Sequence, residues 1–305
     1  MKTIAAGLRE LTVVAVMMAV GGPLIAATGP WDSVAVDTLR KQAKGGNAAA
    51  QLALGYGFAF GLGVRIDFVQ ARYWASEAAG SQISKGLVLH AMLMNQGWGG
   101  AREEARAHRT GAVAQRGLVA EAETGDVMSQ ALLGWLMSEG LGVDRDEVLA
   151  FSWAAKSAKS GHPLGQNLLG TLYAGGRGVD KDIGEALIWF RAAADQNLAQ
   201  AQFNIGKIHA YSPRHKDPEE AVKWWTRAAE QNHPGAQCAL GVAFEDGVGA
   251  KQDLAEAYAW YVMARKEDPD AARRCGLVAP KLADADKVRA EERIVALRKR
   301  ILEQK

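Results

Sequence analysis

Residues 161–197 read GHPLGQNLLGTLYAGGRGVDKDIGEALIWFRAAADQN, and this stretch decides the fold. Counting from Gly161 as zero, Gly165 (+4) and Gly170 (+9) flank the apolar Leu169 (+8), and Tyr173 follows at +12. The spacing predicts a helix. Gly176 and Gly178, just before Val179, end it, and Asp182 stands where it can cap a second helix. That helix carries Ala186 (+25), Trp189 (+28) and the small pair Ala193 and Ala194. The stretch therefore describes an antiparallel helix pair.

The same offsets recur along the chain. From Asn232 they fall on Ala236, Leu240, Gly241, Phe244, Gly247, Gly249, Asp253, Ala257 and Trp260. From Gly125 they fall on Ser129, Leu133, Gly134, Met137, Gly140, Gly142, Asp146, Ala150 and Trp153. From Gly46 they fall on Ala50, Leu54, Gly55, Phe58, Gly61, Gly63, Asp67, Ala71 and Trp74, and Gln occupies +5 in all four units as Gln51, Gln130, Gln166 and Gln237. Recurrence of this many offsets marks an internal repeat. Two further units are degenerate. The one from Asn197 keeps Ala201, Gln202, Ile205, Gly206, Ala221 and Trp224 but replaces the Gly-x-Gly loop with Ser212-Pro213-Arg214-His215. The one from Gln82 keeps Gly97-Trp98-Gly99, after which about seven extra residues are expected before a second helix with Gly117 in the Trp slot.

Over roughly residues 46–267 this pattern resembles the Sel1-like repeat family, an αα solenoid related to tetratricopeptide repeats. The period of roughly 36 residues and the Gly-x-Gly-Val turn distinguish it from the 34-residue tetratricopeptide pattern. The resemblance implies a right-handed, all-α superhelix of about six repeats with helical caps. It also implies a protein-interaction scaffold, in bacteria often in the cell envelope, and it brings no catalytic residues with it.

With 36 basic and 34 acidic side chains the formal charge is +2, which leaves no electrostatic footprint for nucleic acid. Residues 1–27 read as a secretory signal: Lys2 and Arg9 precede the apolar run Leu11 to Val20, and Gly21-Gly22-Pro23 comes before the small Ala26 and Ala27. Leu11 to Ala27 is short and interrupted for a spanning helix, so a membrane anchor over 11–27 is the secondary reading and the mature chain is expected to have no tight membrane insertion. Residues 28–45 are expected to form an N-terminal capping helix. The array 46–267 follows, with units near 46–81, 82–124, 125–160, 161–196, 197–231 and 232–267; residues 268–305 hold a partial repeat and a C-terminal capping helix. In that last helix Val288, Val295 and Leu302, seven apart, with Ile294 and Ile301 beside them, read as one apolar stripe facing the array; a coiled-coil dimer is the secondary reading, which a stripe this short does not favour.

The second-helix tryptophans Trp74, Trp153, Trp189, Trp224 and Trp260 read as core, whereas Trp98 and Trp225 fall outside that slot and read as exposed. His162-Pro163 and His233-Pro234 share a start-of-repeat slot and read as turn residues. No zinc spacing, Gly-x-Ser-x-Gly elbow or phosphate loop is present, so no catalytic, cofactor or metal residues are assigned. Gly176-Arg177-Gly178 follows a helix rather than a strand and is a turn, not a dinucleotide fingerprint. Cys238 and Cys275, on neighbouring first helices of an exported chain, form a possible disulfide.

If the first helices line the concave side, the stripe at +3, +7, +10 and +14 is the groove. Its candidate contact residues are Tyr56, Phe60, Met128, Trp135, Glu139, Asn204 and Lys207. The expectation is a monomeric, non-catalytic scaffold, periplasmic or secreted, that binds a protein or peptide there. Two alternatives stand beside it. One is a cell-wall ligand binder or hydrolase using His90 with Glu103, Glu104 and His108; the other is a cytoplasmic regulatory or assembly factor.

Overall fold

The computed structural model describes residues 33–303. Among these the chain is all-α, with fifteen α-helices and no strand. The expected leader, residues 1–27, lies outside the described residues. Two compact units divide at Asn197 and Leu198. In the first, α1 (Ser33–Lys44) precedes four pairs: α2 (Ala48–Phe60) with α3 (Phe68–Gly80), α4 (Ser84–Gln96) with α5 (Glu104–Glu123), α6 (Val127–Glu139) with α7 (Glu147–Lys159), and α8 (Pro163–Gly175) with α9 (Ile183–Ala194). In the second, α10 (Ala199–Tyr211) pairs with α11 (Pro218–Glu230) and α12 (Pro234–Asp246) with α13 (Leu254–Ala264); α14 (Pro269–Val278), a short 3-10 turn and α15 (Asp284–Arg298) follow.

The loop inside each pair is built from the repeated residues. Gly176 ends α8 at φ 68°, a left-handed conformation that favours glycine. At Gly178, φ 70°, a Cβ would run into the Glu147 carbonyl that opens α7, so only glycine lets this loop lie on the preceding pair. The Asp182 amide then donates to the Tyr173 carbonyl (3.0 Å), while its carboxylate accepts from the Glu185 amide (3.0 Å) and caps α9. Asp67, Asp146, Asp217 and Asp253 cap α3, α7, α11 and α13 in the same way.

The repeated Gln closes the seam between successive pairs. Gln51, Gln130 and Gln237 each donate from Nε2 to a carbonyl eight residues earlier, at Ala43 (3.1 Å), Ala122 (3.1 Å) and Ala229 (3.3 Å). Those carbonyls belong to the last turns of α1, α5 and α11, where a helix leaves its own acceptors unfilled.

The core lies one residue beyond the expected Trp slot. The +9 glycine faces the residue after that slot, +29 in the regular units and +28 in the Asn197 unit, whose loop is one residue shorter: the rings of Phe190, Trp225 and Tyr261 rest on Gly170, Gly206 and Gly241. With Ala75 and Ala154 in that place, backbone meets Gly55 and Gly134 directly. Trp74 and Trp260 are buried as expected, but Trp153, Trp189 and Trp224 are half-buried, with Lys156 over the Trp153 ring at 4.0 Å and Arg227 over Trp224 at 4.5 Å. Trp225, read from sequence as exposed, is core at 5 % exposure. Trp98 is not free either; it stacks on Phe68 with ring centroids 4.6 Å apart.

The extra residues of the Gln82 unit do not lengthen its loop. Gly97 to Glu103 spans the same number of residues as Gly176 to Asp182, and the Glu103 amide donates to Met94 (3.0 Å) as Asp182 does to Tyr173. The insertion instead makes α5 twenty residues long, with Ala107, Gly111, Ala114, Leu118 and Ala122 forming one continuous buried face. Seven residues are close to two turns, so the face is kept to within about 20°. A Cβ at Gly117 would collide with the Ser84 hydroxyl, which is why no Trp stands there.

In the second unit α15 buries Ala290, Ile294, Leu297 and the following Ile301, and leaves Val288 and Val295 exposed. The expected stripe is therefore split: the isoleucines face inward and the valines outward. Arg289 ties α15 to Asp253 (2.9 and 3.0 Å) and Arg293 ties it to Glu256 (2.7 to 3.0 Å), both on the α13 side. Cys238 and Cys275 are buried free thiols, so the disulfide is not formed. Burial, then the Asp268 and Asp270 charges at the start of α14, pushes the Cys238 thiol up to about 12, while Cys275 lies seven residues beyond Asp268, about 10 Å along a helix.

Candidate functional site

The first helices of the first unit lie side by side: α2 touches α4, α4 touches α6, and α6 touches α8. This contact buries the +7 residues Leu89, Leu132 and Leu168. It also takes Tyr56 out of the groove. Tyr56 is 3 % exposed, and its hydroxyl donates to the Lys85 carbonyl at 3.0 Å; burial, then the Glu121 and Asp126 charges, holds its pKa well above the usual tyrosine value. Phe60 remains half-buried, stacked on Tyr56 at 5.7 Å. Trp135 has one side against Ala154, Ala158, Leu168, Leu169 and Leu172 and its other side reaching solvent. Met128 and Leu164 are half-buried on α6 and α8. Glu139 is exposed and pairs with Arg177 (3.3 Å), whose guanidinium also holds Glu147 (3.1 Å) and the Ser138 carbonyl.

Asn204 and Lys207 lie on α10 in the second unit. Asn204 accepts from Gln200 (3.3 Å), Lys207 is exposed with its ammonium 5.7 Å from the Phe203 ring, and Tyr211 beyond them is 70 % exposed.

Sequence reasoning missed a buried polar seam at the foot of α4, α6 and α8. Lys85, 7 % exposed, reaches Asp126 (2.9 Å) and Glu121 (3.4 Å); Ser129 donates its hydroxyl to Glu121 (2.6 Å) and its amide to Asp126 (2.7 Å). Burial pushes the Asp126 carboxyl up, but the Ser129 amide and Lys85 outweigh it and hold the pKa below the usual value. His162 stands close by, lowered to about 4 by burial, with Asp126 acting upward and Lys85 downward. Its counterpart His233 is also lowered to about 4, chiefly by burial; there Nδ1 accepts from the Ala236 amide (3.1 Å) and Nε2 meets Gln200 (3.0 Å). Both histidines cap or precede a first helix, and the sequence signal for this was their shared slot ahead of proline.

The residues named for hydrolysis do not form an acid–base pair. Glu103 is held by Arg106 (3.1 Å) and Arg72, the Arg106 hydrogen bond first among the causes that depress its carboxyl. His90 is buried, its pKa lowered by burial and then by Arg106 and Arg72. His108 is committed on Nδ1 to the Gly142 amide (3.2 Å), and Glu104 pairs with Arg102 (3.3 Å). Among the described residues no His, Cys, Asp or Glu cluster is suited to a metal ion, and no helix is long and apolar enough to cross a membrane.

A model of the Sel1 repeat matches residues 48–81, 127–162, 163–198, 199–233 and 234–269, more than half of the chain. The chain belongs to the Sel1 repeat family. The Gln82 unit falls outside the matched Sel1 repeats, although α4 and α5 form a pair there. Sel1 repeat proteins are generally protein-interaction scaffolds and typically non-catalytic. Among solved structures, the chain is similar to c5321, a protective antigen of uropathogenic Escherichia coli with this fold, at 25 % identity and a TM-score of 0.51, covering 88 % of this chain and 64 % of that one. It is also similar to a Sel1 repeat protein from Oxalobacter formigenes (24 % identity, TM-score 0.47, covering 80 % of each chain). An immunity protein from Pseudomonas aeruginosa, Pa5087, aligns at 18 % identity and a TM-score of 0.45, over 73 % of this chain and 83 % of its own. No curated protein sequence matches closely enough to count as a relative.

Proposed function

We propose that this Sel1 repeat protein is an exported, non-catalytic scaffold, periplasmic or secreted, that holds a segment of a partner protein against the first helices α6 and α8. The observation that carries the reading is Trp135: the half-buried ring is anchored on the core cluster and keeps part of its surface in solvent, on the same two helices that carry the half-buried Met128 and Leu164. An aromatic ring already ordered by its surroundings buries a large area at little entropic cost, which is how interface hot spots are built. Glu139, held by Arg177, and Phe60 on α2 lie on the same helix faces and supply a polar and an apolar margin. Export rests on the basic start and apolar run of residues 2–20 followed by Gly21-Gly22-Pro23.

The test is crosslinking and pull-down from native cells, with the mature N-terminus read from the same sample. A start near Ala27 and one abundant envelope protein recovered by the parent, but lost with the Met128→Lys, Leu164→Lys variant, is the expected result. Truncating a hot spot costs about 2 kcal/mol or more, at least thirtyfold in affinity. These two positions are only half-buried, so circular dichroism should show an unchanged fold. An unprocessed start would place the protein with the cytoplasmic assembly factors. Partner recovery unaffected by the double variant would remove the α6–α8 face from consideration.

A further inference from the structure

The last helix of the second unit has two differently made faces. Its inner face is apolar, and the cations flanking that face are used up: Arg289 holds Asp253 and Asp286, and Arg293 holds Glu256. The outer face carries Val288 at 58 % exposure and Val295 at 64 %, seven residues apart. A terminal helix that only shields an array needs a polar outer face, and here two exposed valines interrupt it. The charges beside the valines are sorted by sign along the helix. Glu291 and Glu292 lie before Val295, and Arg298 and Lys299 lie after it. All four are exposed, and among the described residues none of them has an ion pair.

That pattern is complementary to itself when reversed. We propose that α15 docks antiparallel on α15 of a second copy, about a two-fold axis passing through Val295. In this register Val295 meets Val295 of the other copy, Glu291 faces Lys299 and Glu292 faces Arg298. Each charged match occurs twice because the contact is isologous. A parallel, in-register pair would instead set Glu291 against Glu291 and Arg298 against Arg298, which is unfavourable. Antiparallel packing also sets each helix N-terminus beside the partner's C-terminus, where the macrodipoles attract. A single helix pair buries less than a standard interface, so the contact is a weak one that responds to protein concentration and to salt. This places self-association on the second unit.

The experiment is sedimentation equilibrium of the purified protein over a wide concentration range at low and high salt. The parent should show a monomer–dimer equilibrium weakened by salt, and Val295→Asp should remove it. Glu291→Lys with Glu292→Lys, and separately Arg298→Glu with Lys299→Glu, should each weaken the homodimer by about tenfold or more. All four substitutions in one chain should restore the homodimer, and a mixture of the two double variants should associate more tightly than either variant alone. The proposal is overturned if the parent is monomeric throughout, if Val295→Asp dimerises as well as the parent, or if the fourfold reversal does not restore association. Because every substituted side chain is exposed, circular dichroism should remain that of the parent.

Discussion

The units beginning at Gly161 and Gln82 belong to the same compact region, yet only the first is a regular repeat. They share the loop: a left-handed glycine, a second glycine, and a backbone bond from the residue before the second helix to the end of the first. They differ in nearly everything after it. In the Gly161 unit an Asp caps a twelve-residue helix whose Phe190 ring rests on Gly170. In the Gln82 unit Glu103 makes no side-chain cap, α5 is twenty residues long, and Ser84 occupies the room that an aromatic would need at Gly117. What holds the pair together is the loop bond and a continuous small-residue face; the cap, the aromatic and the helix length are adjustable around it.

The most damaging way to break this comparison is to disturb helix phase. Deleting Ala112 and Val113 turns the rest of α5 by about 160°. Leu118 and Ala122 then face solvent, and the expected outcome is loss of the cooperative thermal transition of the first unit. Deleting seven residues from α5 should leave far more of that transition, because the face returns to within about 20°. Next comes the core slot: Phe190→Ala should cost about 3 to 5 kcal/mol, and Trp189→Ala, removing a half-buried ring, about half as much, both read from denaturation midpoints. The reverse order would return the core to +28.

Acid is the third lever. His162 and His233 have folded pKa values of about 4, below an unfolded value of about 6.5. Between those values the unfolded chain binds more protons than the folded one, so stability is complete above about pH 6.5 and falls toward pH 4, by up to about 3 kcal/mol per histidine. His233→Asn keeps a capping side chain, as Asn47 does at the start of α2 where it accepts from the Ala50 amide (3.0 Å). That variant should flatten the pH dependence of the thermal midpoint in the second unit while preserving the midpoint at pH 7.5. The smallest effect is expected from Arg177→Ala. Its links to Glu139 and Glu147 are partly solvated, and their removal should shift a urea midpoint by about 1 kcal/mol or less.

Much of the fold was legible because the loop is written in residues with narrow conformational meaning. Glycines at +15 and +17 and an Asp at +21 locate both helix ends, and the structure places turns and caps there. The phase of the second helix was less legible, since the Trp slot draws attention through size while the contact with the +9 glycine belongs to the next residue, held by Ala75, Ala154, Phe190, Trp225 or Tyr261. A spacing rule sees both positions as one face. The proposed binding face was legible only in part: Trp135, Met128 and Phe60 are half-buried and reach the surface, but Tyr56 is taken inward by its bond to the Lys85 carbonyl, a contact between residues 29 apart that no local pattern reveals. The Lys85, Glu121, Asp126 and Ser129 seam was hidden for the same reason. In α15, Val288 and Val295 repeat every seven residues as cleanly as a core stripe, and only the ion pairs of Arg289 and Arg293 show which way the helix is turned.

The glutamine seam changes what counts as one module. Cut at its textual boundaries, a unit such as 125–160 would leave the Ala122 carbonyl behind without the Gln130 amide that completes it. A cut inside the Gly-x-Gly loop keeps each second helix with the first helix that follows it, and with it the seam. Duplication or loss by that offset frame joins one glycine loop to another and leaves no raw helix end, so the interchangeable brick of this protein straddles the boundary that its sequence draws.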